Sequence, residues 1–259
     1  MCFSEQQSKY YFVAFMAAAW AFRSSPLKCA YLIFFGFKEF IQLQLYKSLE
    51  GGECTPQNSF WTILAWVHIS FQPLVYLMIY KYYALAEHYP VYDAYFILLG
   101  VFAIAQLFRL RELDRFIDAP DRVQTSSAKQ TCSAFGEKHI AYFFNLDKPY
   151  MSQPTNPSQF AYMLFMFAPP MTTKNWRLPF ALFMIGPVLV QSLYPTMSKE
   201  EQGAIWCNHT VFSIPLFAMD NLLMQSKGDT WIHSAVAASL AGWSMLKALK
   251  GVDIPHTDW

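Results

Sequence analysis

The chain has 259 residues, of which 54% are hydrophobic and only 14% charged, against the roughly 25% charged of an ordinary soluble domain. Nineteen Lys and Arg against eighteen Asp and Glu leave a formal charge of +1. Disorder is excluded, because an unfolded chain needs low hydrophobicity and high charge; with no basic stripe to neutralise phosphates, so is a nucleic-acid partner.

The few charges are arranged so that long stretches are free of them, and a helix crossing about 30 Å of hydrocarbon needs roughly 20 mostly apolar residues. In chain order, the first stretch runs from Tyr10 to Phe22, only 13 residues, with Lys9 and Arg23 placed to snorkel from its ends. A signal peptide is the rival for the first 22 residues, but Met1 to Lys9 lacks a clear positive cluster, which favours a retained helix. The second stretch, about Leu27 to Tyr46, carries Lys38 and Glu39 near its middle. The third, Gln57 to Tyr80, holds no Asp, Glu, Lys or Arg. A fourth runs from about Val91 to Phe108, before Arg109 and Arg111, and a fifth from about Ser158 to Thr173, before Lys174 and Arg177. Leu178 to Ser198 and Gln202 to Met219 are again charge-free and make the sixth and seventh. Thr230 to Leu246, with Trp231 and Trp243 near its ends, is an eighth that crosses or lies along the surface.

The expected fold is therefore all-α, a polytopic membrane helix bundle with seven core transmembrane helices and an eighth C-terminal helix. It forms a single integral membrane domain over residues 1–259, with a polar loop at about 112–138 and a C-terminal helix and tail at about 230–259. Pro73, Pro169, Pro170, Pro187 and Pro215 fall within these stretches and read as kinks for packing. The lipid bilayer is the expected partner, with a larger membrane complex or a second copy of the chain as further possibilities.

Counting Lys and Arg at the helix ends gives six on each side, so the positive-inside rule does not orient the chain. Cys54 and Cys132 would lie on the same side under alternating spans. A disulfide between them would make that side oxidising and the N-terminus extracytoplasmic; two unrelated free thiols are the alternative.

Ionisable groups at membrane depth are costly and call for an explanation. Glu39 shares a helix face with Gln42, His68 with Gln72 just before Pro73, and His209 with Ser213, beside Cys207 and Thr210. His139 stands in the segment leading to the fifth stretch. If these faces converge, Glu39, His68, Gln72, His139, Cys207 and His209 would line one cavity. There a carboxylate could fix an imidazole tautomer, protons could be relayed, or a transition metal such as Zn or Cu could bind, with His68 and His139 as its candidate ligands. The plainer alternative for each residue is a hydrogen bond between helices. The sequence has no His-Glu-x-x-His, Gly-x-Ser-x-Gly, phosphate-cradling Gly-rich loop or Cys-x-x-Cys.

Several motifs resemble those of an uncharacterised family of multi-spanning membrane proteins. They are the opening Met1-Cys2-Phe3-Ser4, the run His68-Ile69-Ser70-Phe71-Gln72-Pro73, Cys132 ahead of His139-Ile140-Ala141, and Trp206-Cys207. The resemblance extends over about residues 1–215 and places Glu39 where the family carries an acidic residue in the second span and Cys54 where it tends to have a cysteine before the third, but supplies no reaction. The first functional expectation is a transporter or channel for protons, metal ions or a small solute, using Glu39, His68 and Gln72. An intramembrane metal-assisted enzyme with Glu39 as general base comes second. A structural or accessory subunit, or a receptor-like protein, comes third.

Overall fold

Helix ends in this chain are written into the sequence. Ser4 accepts a hydrogen bond from the Gln7 backbone N–H (3.2 Å) and opens α1, Glu5–Ala21, with Glu5 in the first turn where the helix dipole favours an acid. The chain reverses through a turn in which the Ser25 N–H donates to the Phe22 carbonyl (2.8 Å). Pro26, pre-set for a first helical position, then starts α2, Pro26–Leu49. Thr55 accepts from the Asn58 N–H (3.2 Å) ahead of Pro56, which begins α3, Pro56–Tyr83. Another proline starts α4, Pro90–Leu113. The computed structural model describes residues 4–50, 54–83, 90–113, 131–136, 139–143, 166–168, 171, 177–188, 192, 201 and 210–224.

The four long helices pack in sequence, each on the one before. α1 meets α2 along small residues: Ala14, Ala18 and Ala21 are buried, and Gly36 of α2 faces Phe15 and Met16 so closely that a Cβ there would lie 2.7 Å from Phe15 Cβ. Close approach through small residues gains dispersion contacts along the whole seam. The Glu5 carboxylate comes within 3.9 Å of Lys47 Nζ, so the start of α1 lies beside the end of α2. Against this pair sits an aromatic core of Phe15, Tyr31, Phe35, Tyr76, Phe167 and Phe217. Phe217 comes from a helix over Ser213–Met224, preceded by a 3-10 turn at Thr210–Phe212. Leu182 reaches the same core from a short helix, Arg177–Phe183, which continues as a π-helical segment, Met184–Val188. α4 packs on α3 through Leu99 against Leu77.

A two-stranded antiparallel hairpin, β1 (Cys132–Phe135) and β2 (Ile140–Phe143), lies on the first turns of α3 and the second half of α2. Cys132 is bonded to Cys54 through a disulfide (Cα–Cα 5.8 Å), which ties β1 to the start of α3.

This architecture overturns the expectation of an all-α bundle with seven core transmembrane helices. Among the described residues one helix segment, Pro56–Met78, is long and apolar enough to cross a membrane, and a small sheet is present. The physical reasons differ by segment. α1 has 17 residues, short of a full crossing. α2 spends its length on Lys28, Lys38, Glu39 and Lys47. The apolar part of α4 is confined to Asp93–Ala105. The charge-free stretches 178–198 and 202–219 yield short helices where described, and His139 immediately precedes a strand. Of the stretch 158–173 only 166–168 and 171 are described, and the C-terminal helix expected at 230–246 lies outside the described residues. The absence of charge shows where a chain can be buried; it does not say whether lipid or protein buries it.

Gly36→Ala is expected to destabilise the protein, because the new methyl group meets the rigid Cβ of Phe15 rather than a flexible chain end. Overpacking of this kind costs on the order of 1–3 kcal/mol, to be read as a lower thermal midpoint; an unchanged midpoint would show that α1 and α2 can separate freely.

Candidate functional site

α2 and α3 bury the residues least suited to a helix interior. Lys38, Glu39 and Gln42 are buried on α2, and Asn58, Thr62, His68 and Gln72 on α3, with Lys38 and Glu39 both 0% exposed. Spacings of three or four put Lys38 and Glu39 each near Gln42, Asn58 near Thr62, and His68 near Gln72.

At the seam between the two helices, His68 Nε2 lies 2.9 Å from the Phe34 carbonyl oxygen of α2. A carbonyl only accepts, so Nε2 carries the proton and Nδ1 is the acceptor, taking a hydrogen bond from the Gln72 amide (3.2 Å). The imidazole is thus neutral and held in one tautomer. Phe34 stacks on it, ring centroids 4.3 Å apart, and Phe35 and Phe37 flank it.

The hairpin closes one end of this seam. The Gly136 N–H donates to the His139 carbonyl (2.6 Å). Because antiparallel pairs alternate between bonded and non-bonded, Ala134↔Ala141 and Cys132↔Phe143 are the bonded pairs, and Ser133↔Tyr142 is not. The backbone of Ser133 therefore points away from β2, toward α3, where Asn58 meets both of its groups. Asn58 Nδ2 donates to the Ser133 carbonyl (2.9 Å), and Asn58 Oδ1 accepts from the Ser133 N–H (2.8 Å). Ser133 Oγ lies 2.8 Å from Thr62 Oγ1. Across the strand pair, Tyr142 reaches α2: its hydroxyl accepts from Gln42 Nε2 (3.1 Å), and its ring lies 5.6 Å from Lys38 Nζ.

His139 sits at the turn. Its backbone N–H donates to the carboxylate of Glu201, and its Nδ1–H donates to the Ile140 carbonyl (3.2 Å). Gly136 is required here, since a Cβ would fall within 2.6 Å of the Glu201 carboxylate and the His139 carbonyl oxygen. Burial pushes the His139 pKa down to about 3; the Ile140 hydrogen bond works against this shift, and the Lys38 charge adds to it. Lys38 is thus within electrostatic reach of His139 at one side and of His68 at the other.

His68 and Gln72 meet α2 at the Phe34 carbonyl, His139 lies at the hairpin turn, and Glu39 is buried within α2. The expected carboxylate–imidazole pair is not formed at His68, whose tautomer is fixed by a backbone carbonyl instead. Nor does His68 suit a metal: both ring nitrogens are engaged, and among the described residues no group of three or more His, Cys, Asp or Glu could hold an ion. Cys207 and His209 lie outside the described residues. Lys38 was visible in the sequence as a charge in mid-helix, and Asn58 and Thr62 as an i, i+4 polar pair. Tyr142 and Glu201 gave no local signal, because their partners are 100 and 62 residues away.

Residues 10–227 match a family of unknown function, DUF5765. Comparison with curated proteins gives no match, and comparison with solved structures gives none either.

Asn58→Leu is expected to leave two buried backbone groups of Ser133 without partners, costing on the order of 1–3 kcal/mol for each; a denaturation midpoint equal to that of the parent would mean the hairpin is held elsewhere. His139 supplies a pH dependence. Its folded pKa of about 3 lies below the ordinary 6.5, so between these values the unfolded chain binds the proton first and stability falls as pH falls. Thermal midpoints followed from pH 8 to pH 4 should therefore decline more steeply in the parent than in His139→Gln.

Proposed function

This chain belongs to the DUF5765 family, and from that premise we propose that it is a membrane-embedded helical protein whose α2–α3 seam passes protons or a small polar solute, with Lys38 and Glu39 as the charge-bearing pair. The observation that carries this reading is an inverted distribution of polarity. Lys38 and Glu39 are 0% exposed, while Trp20, Phe60, Ile97 and Val101 are 58–66% exposed on the outer faces of the helices. In water that arrangement is unfavourable on both counts, since apolar area stays hydrated and charges are desolvated. With lipid outside, the exposed apolar faces cost nothing, and the ionisable residues take the interior position they favour in membrane proteins.

His68 contributes by fixed hydrogen bonding rather than by proton transfer, because the Phe34 carbonyl that receives its Nε2–H has no proton to pass on. The disulfide supports an oxidising compartment on the hairpin side. The start of α1 lies at the end of α2, next to Cys54, so the same argument supports an extracytoplasmic N-terminus.

The protein is expected to stay in the membrane pellet on alkaline carbonate extraction; release into the supernatant would overturn the membrane part of the reading. In liposomes loaded with a pH-sensitive dye, Glu39→Gln and Lys38→Met should each lower proton flux by roughly tenfold or more, equivalent to about 1.4 kcal/mol or more on the barrier. Flux equal to the parent in both folded variants would reject the proton path.

A further inference from the structure

We propose that the β1–β2 hairpin is a redox-held plug on the seam, seated by the Cys54–Cys132 disulfide and closed by Tyr142 over Lys38; this rests on the reading of the seam as the working interior. Tyr142 lies on the middle of α2: its ring is 5.6 Å from the Lys38 ammonium, and its hydroxyl accepts from Gln42 one turn further along the helix. Nothing in α2 or α3 requires a tyrosine from residue 142, and the seam is covered there by an element that arrives from 78 residues away in sequence.

The hairpin is docked by hydrogen bonds, by the packing of Ile140 and Tyr142 on Ile41, Leu45 and Ala65, and by a covalent link. Asn58 bonds to both backbone groups of Ser133, Glu201 accepts from the His139 N–H, and Cys54 is joined covalently to Cys132. The hydrogen bonds are local and reversible, and each exchanges for bonds to water when the hairpin lifts. The disulfide differs, because it limits how far the hairpin can move and how much chain freedom is regained by lifting. Cys54 is the more exposed of the two cysteines, Cys132 being fully buried. An external dithiol attacks at Cys54 Sγ and Cys132 leaves as a thiolate. The second thiol of the reductant then resolves the mixed disulfide, leaving two protein thiols and the reductant's own disulfide, two electrons having passed to the protein. Once reduced, the hairpin is held by hydrogen bonds and by the packing of Ile140 and Tyr142 on Ile41, Leu45 and Ala65, without the covalent link, and the opening that uncovers Lys38 becomes more frequent.

Two buried lysines on one helix make the test specific. Lys38 lies under the hairpin, whereas Lys28 lies at the opposite end of α2, its Nζ 5.8 Å from the Phe22 ring and 5.7 Å from the Phe217 ring. The whole protein in detergent micelles would be labelled with a water-soluble amine-reactive ester, oxidised and after treatment with a dithiol, and both lysines quantified by peptide mass mapping. The expected result is that reduction raises labelling at Lys38 by roughly tenfold or more while Lys28 stays protected, as local opening requires. Oxidised Tyr142→Ala should show the same selective rise without touching the disulfide. Protection of Lys38 in both preparations would overturn the plug, and so would equal labelling of Lys28 and Lys38, which reports general loosening. Labelling does not depend on transport. Selective uncovering of Lys38 with no proton flux in either redox state would therefore sustain the plug and sink the transport reading alone.

Discussion

A buried strand must find partners for both of its edges, and in this protein one side chain does the work of a missing neighbour. Asn58 presents its amide to Ser133 as another strand would present its backbone, donating with Nδ2 and accepting with Oδ1. An amide has both functions at the right separation, which neither a carboxylate nor a hydroxyl offers. The position of the hairpin follows from that pairing, and with it the approach of Tyr142 to Gln42 and Lys38, and of His139 to the end of the seam. The adjacent disulfide acts on the same junction, restricting the chain where Asn58 satisfies it.

The interior of the α2–α3 seam follows a consistent logic once the hairpin is seated. Polar groups are taken up pairwise by partners on neighbouring elements: His68 by the Phe34 carbonyl and Gln72, Thr62 by Asn58 and Ser133, Gln42 by Tyr142. Such a network is stable only when nearly complete, because in a medium of low dielectric constant an unmade bond costs more than a made one contributes. The same low dielectric keeps His139 neutral and makes the Lys38 charge felt at a distance. Outside this seam the cohesion is of a different kind, with aromatic rings around Tyr31 and Phe217, centroids 5.0 Å apart, and small residues along α1.

Much of the candidate site was legible as spacing. Glu39 with Gln42 and His68 with Gln72 lie on single helical faces, as their separations imply, and they do turn inward. Which atoms they would bond was not legible. A carboxylate was the natural partner to expect for an imidazole, yet His68 takes a main-chain oxygen that has no sequence signature at all. Residue type suggested a metal ligand at His68, and both of its ring nitrogens are taken up in hydrogen bonds. His139 illustrates a different limit, since a short apolar run has the same composition in a strand as in a helix, and only pairing with Cys132–Phe135 makes it a strand.

By itself the sequence determined where helices begin, through Ser4, Pro26, Thr55 and Pro56, and which stretches had to be withdrawn from water. These are local properties, set by backbone caps and by runs of apolar side chains. The hairpin, and the meeting of Gln42 with Tyr142 or of His139 with Glu201, were decided only in the tertiary structure. They depend on contacts between residues 62 to 100 positions apart, for which no periodicity along the chain carries information.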